Sequence, residues 1–133
     1  GVACAMSHRL ALQRLVQHPT AAWALILEDD IVAAVPDVAG NIARVLRQVP
    51  EDWDAVFLGY HDGNGRLHPC AWGSSLPVEA VESDVLVERL HSGLYGLYAW
   101  MVSKDAARSL LDGAFPIHGQ VDHALSSWLV GER

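Results

Sequence analysis

Along the first half of the chain, hydrophobic residues recur at helical spacing in two segments and form continuous runs in two others. This pattern predicts helices alternating with strands. Apolar residues spaced three and four apart predict a helix over residues 3–17 and a second helix over residues 36–49. Between them Trp23–Leu27 is continuously apolar, which is typical of a strand covered on both faces in a parallel sheet. Residues 54–59 form another short apolar run, so a strand–helix–strand unit is expected.

The second half of the chain predicts a long loop followed by strands and helices. Residues 60–84 contain several Gly, Pro and Ser without a sustained period, and loops of that length are commonly functional or mobile. An edge strand is expected over residues 84–90 and another strand over residues 96–102. Ser103 is a suitable N-cap for a helix through Leu111, and residues 121–129 predict a last helix. This order predicts one α/β domain over residues 1–133.

Composition narrows the class of protein. The chain has 133 residues, 51% of them hydrophobic, which suffices for one domain with its own core. Its 16 acidic and 9 basic residues give a net charge of −7, and the scattered cations argue against nucleic-acid binding. All uninterrupted apolar runs are far shorter than the roughly 20 residues of a membrane-spanning helix.

The metal-binding residue types show no zinc motif. The two cysteines, Cys4 and Cys70, belong to no CxxC pair, so neither a zinc framework nor a disulfide scaffold is predicted, and reduced cytosolic thiols are expected. The seven histidines show no HExxH spacing. Cys4 itself is most simply a small buried hydrophobe.

An acidic triplet directly follows the first predicted strand. Ligands of open α/β sheets bind at the carboxyl ends of strands, where Glu28, Asp29 and Asp30 stand. In an extended chain Glu28 and Asp30 project to one side and Asp29 to the other. Two carboxylates on one side are able to share Mg²⁺ or Mn²⁺, which in turn binds a diphosphate. The alternative is a solvated turn after a strand.

Other candidate residues each allow a structural and a functional interpretation. His8 lies on the inward face of the first helix, either as a core residue or, with Ser7, as a donor to an anion. Asp122 precedes an apolar helical stripe, either as a helix-start carboxylate or as a general base. Tyr98 at a regular period is expected in the core, whereas Trp72 in the long loop is the candidate for stacking on a sugar.

Several segments, in this order, resemble the core of glycosyltransferase family 25, which includes bacterial lipooligosaccharide β-galactosyltransferases and collagen hydroxylysine galactosyltransferases. The resemblance is carried by GVACAMSH at residues 1–8, LILEDD at 25–30, WDAVFLG at 53–59 and YAWMVSKDAARSLL at 98–111, followed by Pro116 and Asp122. It spans nearly the whole chain, except residues 60–84.

The resemblance implies an α/β, GT-A-type Rossmann-like fold that transfers a hexose, galactose or glucose, from a UDP-sugar to an acceptor hydroxyl with inversion. The acceptor would be a glycan or glycolipid such as lipooligosaccharide. Glu28 and Asp30 would hold Mn²⁺ or Mg²⁺ and the donor diphosphate, Ser7 and His8 would line the donor pocket, and Asp122 would be the catalytic base.

Further expectations concern the rest of the protein and its setting. The chain does not begin with Met, and the family's first nucleotide-binding strand would precede Gly1, so we expect a partial domain, with a further metal-binding His beyond Arg133. A single Lys beside eight Arg suggests a bacterial, cytoplasmic enzyme at the inner face of the membrane. Two alternatives stay open: a catalytically inactive nucleotide-sugar or carbohydrate-binding module of the same fold, and a metal-dependent phosphate-ester hydrolase.

Overall fold

The computed structural model describes residues 1–33, 36–68, 71–73 and 87–131, which form four helices and seven strands. In chain order these are α1 (Val2–Gln17), β1 (Trp23–Leu27), α2 (Val38–Leu46), β2 (Ala55–Phe57), β3 (Tyr60–His61), β4 (Leu67–His68), β5 (Ala71–Gly73), β6 (Glu88–Arg89), β7 (Ala99–Ser103), α3 (Lys104–Gly113) and α4 (Val121–Val130). None of these helices is long and apolar enough to cross a membrane.

Five of the strands form one mixed sheet in the order β1-β7-β2-β5-β6. β7 pairs antiparallel with both β1 and β2, so those two strands run in the same direction with β7 between them. β5 pairs antiparallel with β2 and parallel with β6. β3 and β4 form a separate antiparallel pair.

Helices cover both faces of the sheet. Alternate strand residues point to opposite faces, so Phe57 and Trp100 join the core under α1, α3 and α4, whereas Val56 and Met101 pack with residues of α2. All four side chains are fully buried. The described residues therefore form helix, sheet and helix layers, and the α/β class predicted from the sequence is confirmed. The GT-A type of this class stays a prediction.

Two predictions about the strands are wrong. The apolar run Trp23–Leu27 does form β1, but this strand lies at the end of the sheet and pairs antiparallel, not in a parallel sheet. Its apolar pattern arises because Ile26 packs on one face and Leu25 on the other, while its two end residues are exposed. The predicted loop over residues 60–84 contains β3, β4 and β5; residues 69–70 and 74–84 lie outside the described part.

The remaining elements agree with the sequence pattern. All four predicted helices form, and Glu88–Arg89 is the expected edge strand, reduced to two residues. Ser103 caps α3 by accepting a hydrogen bond from the backbone N–H of Ala106 at 3.1 Å. Gly113 at the end of α3 faces Trp128 of α4 so closely that a Cβ atom there would overlap the indole ring.

Candidate functional site

A cavity of about 430 Å³ lies where β1 ends and β7 begins. Its walls come from four parts of the chain: α1, the segment after β1, the segment before β7, and the start of α4. The lining residues are Gly1, Cys4, His8, Glu28, Asp30, Gly96, Leu97, Tyr98, Gln120, Val121 and Asp122. Four of the five residues predicted from sequence to form a site, namely His8, Glu28, Asp30 and Asp122, are therefore neighbours in one cavity.

The acidic triplet meets the cavity through two of its three members. Glu28 and Asp30 line it and Asp29 does not. The segment is not extended, however: Asp29 and Asp30 are exposed residues of a turn that follows β1, so the predicted extended conformation is wrong here and the alternative of a turn describes these two residues. The backbone N–H of Glu28 donates to the carbonyl of Tyr98 at 2.9 Å, which fixes the start of this segment beside β7. Both residues thus border the same cavity, and carboxylate oxygens are ligands that a hard cation prefers.

His8 is buried in the wall of the cavity. Its side chain is 5% exposed, its Nε2 lies 3.4 Å from Oε1 of Glu28, and its ring centroid lies 5.9 Å from that of Trp100. Burial lowers the pKa of His8, an effect that the Glu28 carboxylate opposes. Nδ1 has no hydrogen-bond partner among the described residues. The inward orientation predicted from helical spacing is confirmed.

Cys4 lies one helical turn before His8 and also lines the cavity. The potential ligand atoms of Cys4, His8 and Glu28 all lie within 4.8 Å of one another. Burial, and next the charge of Glu28, raises the pKa of the Cys4 thiol. Sequence reasoning assigned Cys4 to the core; the signal available in the sequence was its i, i+4 spacing to His8.

Asp122 stands in the first turn of α4 and is held by backbone groups. Its Oδ2 accepts a hydrogen bond from the N–H of Gly96 at 2.7 Å, and its Oδ1 accepts one from the N–H of His123 at 2.9 Å. Gly96 has a φ of 86°, and a Cβ atom there would lie 2.5 Å from the ring of Tyr98. A glycine is therefore required where the carboxylate meets this segment.

Tyr98 is a lining residue that sequence reasoning placed in the core. Its side chain is 38% exposed, and its hydroxyl lies 2.7 Å from Nδ1 of His61. The expected alternation holds only within β7, where Trp100 is fully buried, because Tyr98 precedes the strand. The cavity thus presents an aromatic ring beside its carboxylates.

Ser7 and Trp72 do not join this cluster of described side chains. Ser7 is exposed on α1 and is not among the residues that line the cavity, so its role as a donor contact stays a prediction. Trp72 belongs to β5, and its side chain lies outside the described part. Acceptor stacking on Trp72 therefore stays a prediction as well.

The lining has a strongly negative character. Glu28, Asp30 and Asp122 contribute carboxylates, and the described lining contains neither Lys nor Arg. Backbone N–H groups at the start of α4 add partial positive charge, which Asp122 itself uses in part. A cation fits this cavity, whereas a free anion would be repelled.

No protein-family model, curated protein or solved structure matches the chain.

Proposed function

We propose that this protein transfers a hexose from a UDP-sugar to an acceptor hydroxyl of a glycan, with the aid of a metal ion and with inversion, on a fold of the GT-A type. The observation that carries the proposal is the meeting of Glu28 and Asp30 with Asp122 in one cavity, although more than 90 positions separate them in the sequence. The motif resemblance described above assigns roles to these same three residues.

The donor set fits a hard divalent cation. Glu28 and Asp30 both line the cavity, and carboxylate oxygens are ligands that suit Mn²⁺ and Mg²⁺. When bound, the ion supplies positive charge that stabilises the leaving nucleoside diphosphate. The chain needs such a charge, because a diphosphate placed among these carboxylates has no Lys or Arg partner in the described lining.

Two further lining residues have roles in this proposal: Asp122 accepts a proton from the acceptor, and His8 orients the Glu28 carboxylate. Asp122, fixed by the N–H groups of Gly96 and His123, keeps free lone pairs with which to accept the proton of an acceptor hydroxyl. His8 touches Glu28 from the buried side and limits where that carboxylate points. The volume of about 430 Å³ lies within the range of roughly 300–1,000 Å³ common for small-molecule sites.

A binding module without catalysis is the second candidate, and one observation favours it. Both oxygens of Asp122 already accept backbone hydrogen bonds, which tie α4 to the segment before β7. This structural role is by itself a sufficient reason for a carboxylate at this position, without any catalytic role. In this case the cavity would bind a nucleotide sugar or carbohydrate without releasing UDP.

Turnover separates these two candidates. The protein is incubated with Mn²⁺, a panel of UDP-sugars and oligosaccharide or glycolipid acceptors, and UDP release is measured. The transferase proposal predicts acceptor-dependent UDP release that Asp122→Asn abolishes. Binding of the donor without release in any combination supports the module, and release of free phosphate from simple esters supports a hydrolase instead.

A further inference from the structure

The cavity wall contains a second set of metal-binding side chains, distinct in chemistry from the pair formed by Glu28 and Asp30. A thiol, an imidazole and a carboxylate come together as Cys4, His8 and Glu28, with all three ligand atoms within 4.8 Å of one another. The first two residues lie on one face of α1 by their i, i+4 spacing. The third follows β1, so the packing of α1 against β1 creates the set.

The closest pair in this set already has the separation of two ligands on one ion. Tetrahedral zinc binds nitrogen and oxygen at roughly 2.0–2.2 Å, which places two such ligands about 3.3–3.6 Å apart. Nε2 of His8 lies 3.4 Å from Oε1 of Glu28. The sulfur of Cys4 lies within 4.8 Å of both.

His8 offers this set one ring nitrogen, Nε2, which faces Glu28. The imidazole is 5% exposed and lines the cavity, yet Nδ1 has no hydrogen-bond partner among the described residues. Ligation through Nε2 would replace its direct contact with the Glu28 carboxylate by an ion that both groups share, and it would leave Nδ1 as it is. The geometry of Nε2 and Glu28 therefore carries the argument.

We propose that Cys4, His8 and Glu28 bind a thiophilic divalent cation of the class of Zn²⁺, with the fourth coordination position open toward the cavity. Thiolate and imidazole favour Zn²⁺, whereas Mn²⁺ and Mg²⁺ prefer oxygen ligands. Three protein ligands with one open position are typical of zinc sites that bind a further molecule. The site shares Glu28 with the hard-cation pair but does not use Asp30, so it does not rest on the proposed transferase function.

Cobalt substitution tests this site directly, because Co²⁺ occupies zinc sites and a sulfur ligand gives it an intense near-ultraviolet charge-transfer band. Metal-free protein is titrated with Co²⁺, and the Co²⁺ is then displaced with Zn²⁺. The band is expected in the native protein and in Asp30→Asn, and absent in Cys4→Ser. Cys70→Ser is the matched control, since the chain has two cysteines, and it should keep the band.

The affinities complete the test. Loss of a residue that only supports a ligand costs about 10- to 100-fold in metal affinity, so loss of the ligand itself in Cys4→Ser or His8→Gln should cost at least about that. The near-isosteric Cys4→Ser protects against loss of the fold, which circular dichroism checks. A spectrum without the charge-transfer band, a band that persists in Cys4→Ser, or unchanged affinity in both variants would overturn the proposal. Failure of UDP-sugar turnover would leave these results unaffected.

Discussion

Nε2 of His8 lies 3.4 Å from Oε1 of Glu28, and this contact joins the buried face of α1 to the segment that follows β1. The two side chains stand in very different surroundings, since His8 is 5% exposed and Glu28 is 37% exposed. A protonated imidazole would therefore gain one carboxylate partner but lose most of its hydration. Burial therefore favours the neutral ring.

The pH dependence of stability should report this buried ring. Burial lowers the pKa of His8 from its ordinary 6.5, so below that pH the unfolded chain binds more protons than the folded chain. The free energy of unfolding should fall as the pH drops below 6.5 toward the lower folded pKa, by at most about 1.4 kcal/mol per pH unit for one proton.

Urea unfolding with a chelator present, at a series of pH values on both sides of 6.5, measures this slope. The variant His8→Gln should reduce it, whereas His118→Gln, which changes an exposed histidine, should leave it unchanged. Equal slopes in the native protein and His8→Gln would contradict the assignment.

Asp122 has a structural role that is separable from its proposed catalytic one. Asp122→Ala removes the acceptor of the Gly96 N–H and should lower the free energy of unfolding by about 1.5–3 kcal/mol. Asp122→Asn keeps an oxygen for this hydrogen bond and should retain most of the stability while losing turnover. Chemical denaturation of both variants checks the difference; an Asp122→Ala variant as stable as the native protein would refute the structural role.

Gly113 is required by the packing of α3 on α4. Alanine normally stabilises a helix relative to glycine, but a Cβ atom here would overlap the ring of Trp128. We expect Gly113→Ala to destabilise the protein by roughly 1–3 kcal/mol in thermal or urea unfolding. The matched control is Gly119→Ala, where a Cβ atom meets nothing within 4 Å. Similar stabilities of the two variants would disprove the close contact.

Loss of the N-cap of α3 should lower the free energy of unfolding by less than the changes at Asp122 and Gly113. Ser103→Ala removes the acceptor of the Ala106 N–H and should cost about 0.5–2 kcal/mol of unfolding free energy. Ser103→Thr keeps a hydroxyl at the same place and should recover most of that loss. If denaturant midpoints for Ser103→Ala and Ser103→Thr are equal, the hydrogen bond does not stabilise the helix.

Much of the fold follows from local pattern, whereas the pairing of its strands does not. Helical periods and caps such as Ser103 predicted all four helices. Glu28 and Asp30 do line one cavity, but a turn over Asp29 and Asp30, and not the predicted extended chain, follows β1 there. The insertion of β7 between β1 and β2 depends on contacts between segments more than 40 positions apart, which periodicity does not report.

The candidate site shows the same limit. The sequence singled out His8, Glu28, Asp30 and Asp122 separately, but only the packing of α1, β1 and α4 brings them together. Cys4 was assigned to the core because its thiol is small and apolar in character; its distance to Glu28 is a tertiary property. Tyr98 was also assigned to the core, because the predicted strand began at residue 96, whereas β7 begins at Ala99, three residues later.

The central claim is that Glu28 and Asp30 hold a hard cation that binds a nucleoside diphosphate. Its most direct test is calorimetric titration of UDP, with and without Mn²⁺, into the native protein, Asp30→Asn and Asp29→Asn. Asp29 is the matched control, as an adjacent carboxylate that does not line the cavity. We predict Mn²⁺-dependent binding in the native protein and in Asp29→Asn, weakened roughly tenfold or more in Asp30→Asn. Equal affinities in the two variants, or binding that does not require Mn²⁺, would contradict the claim.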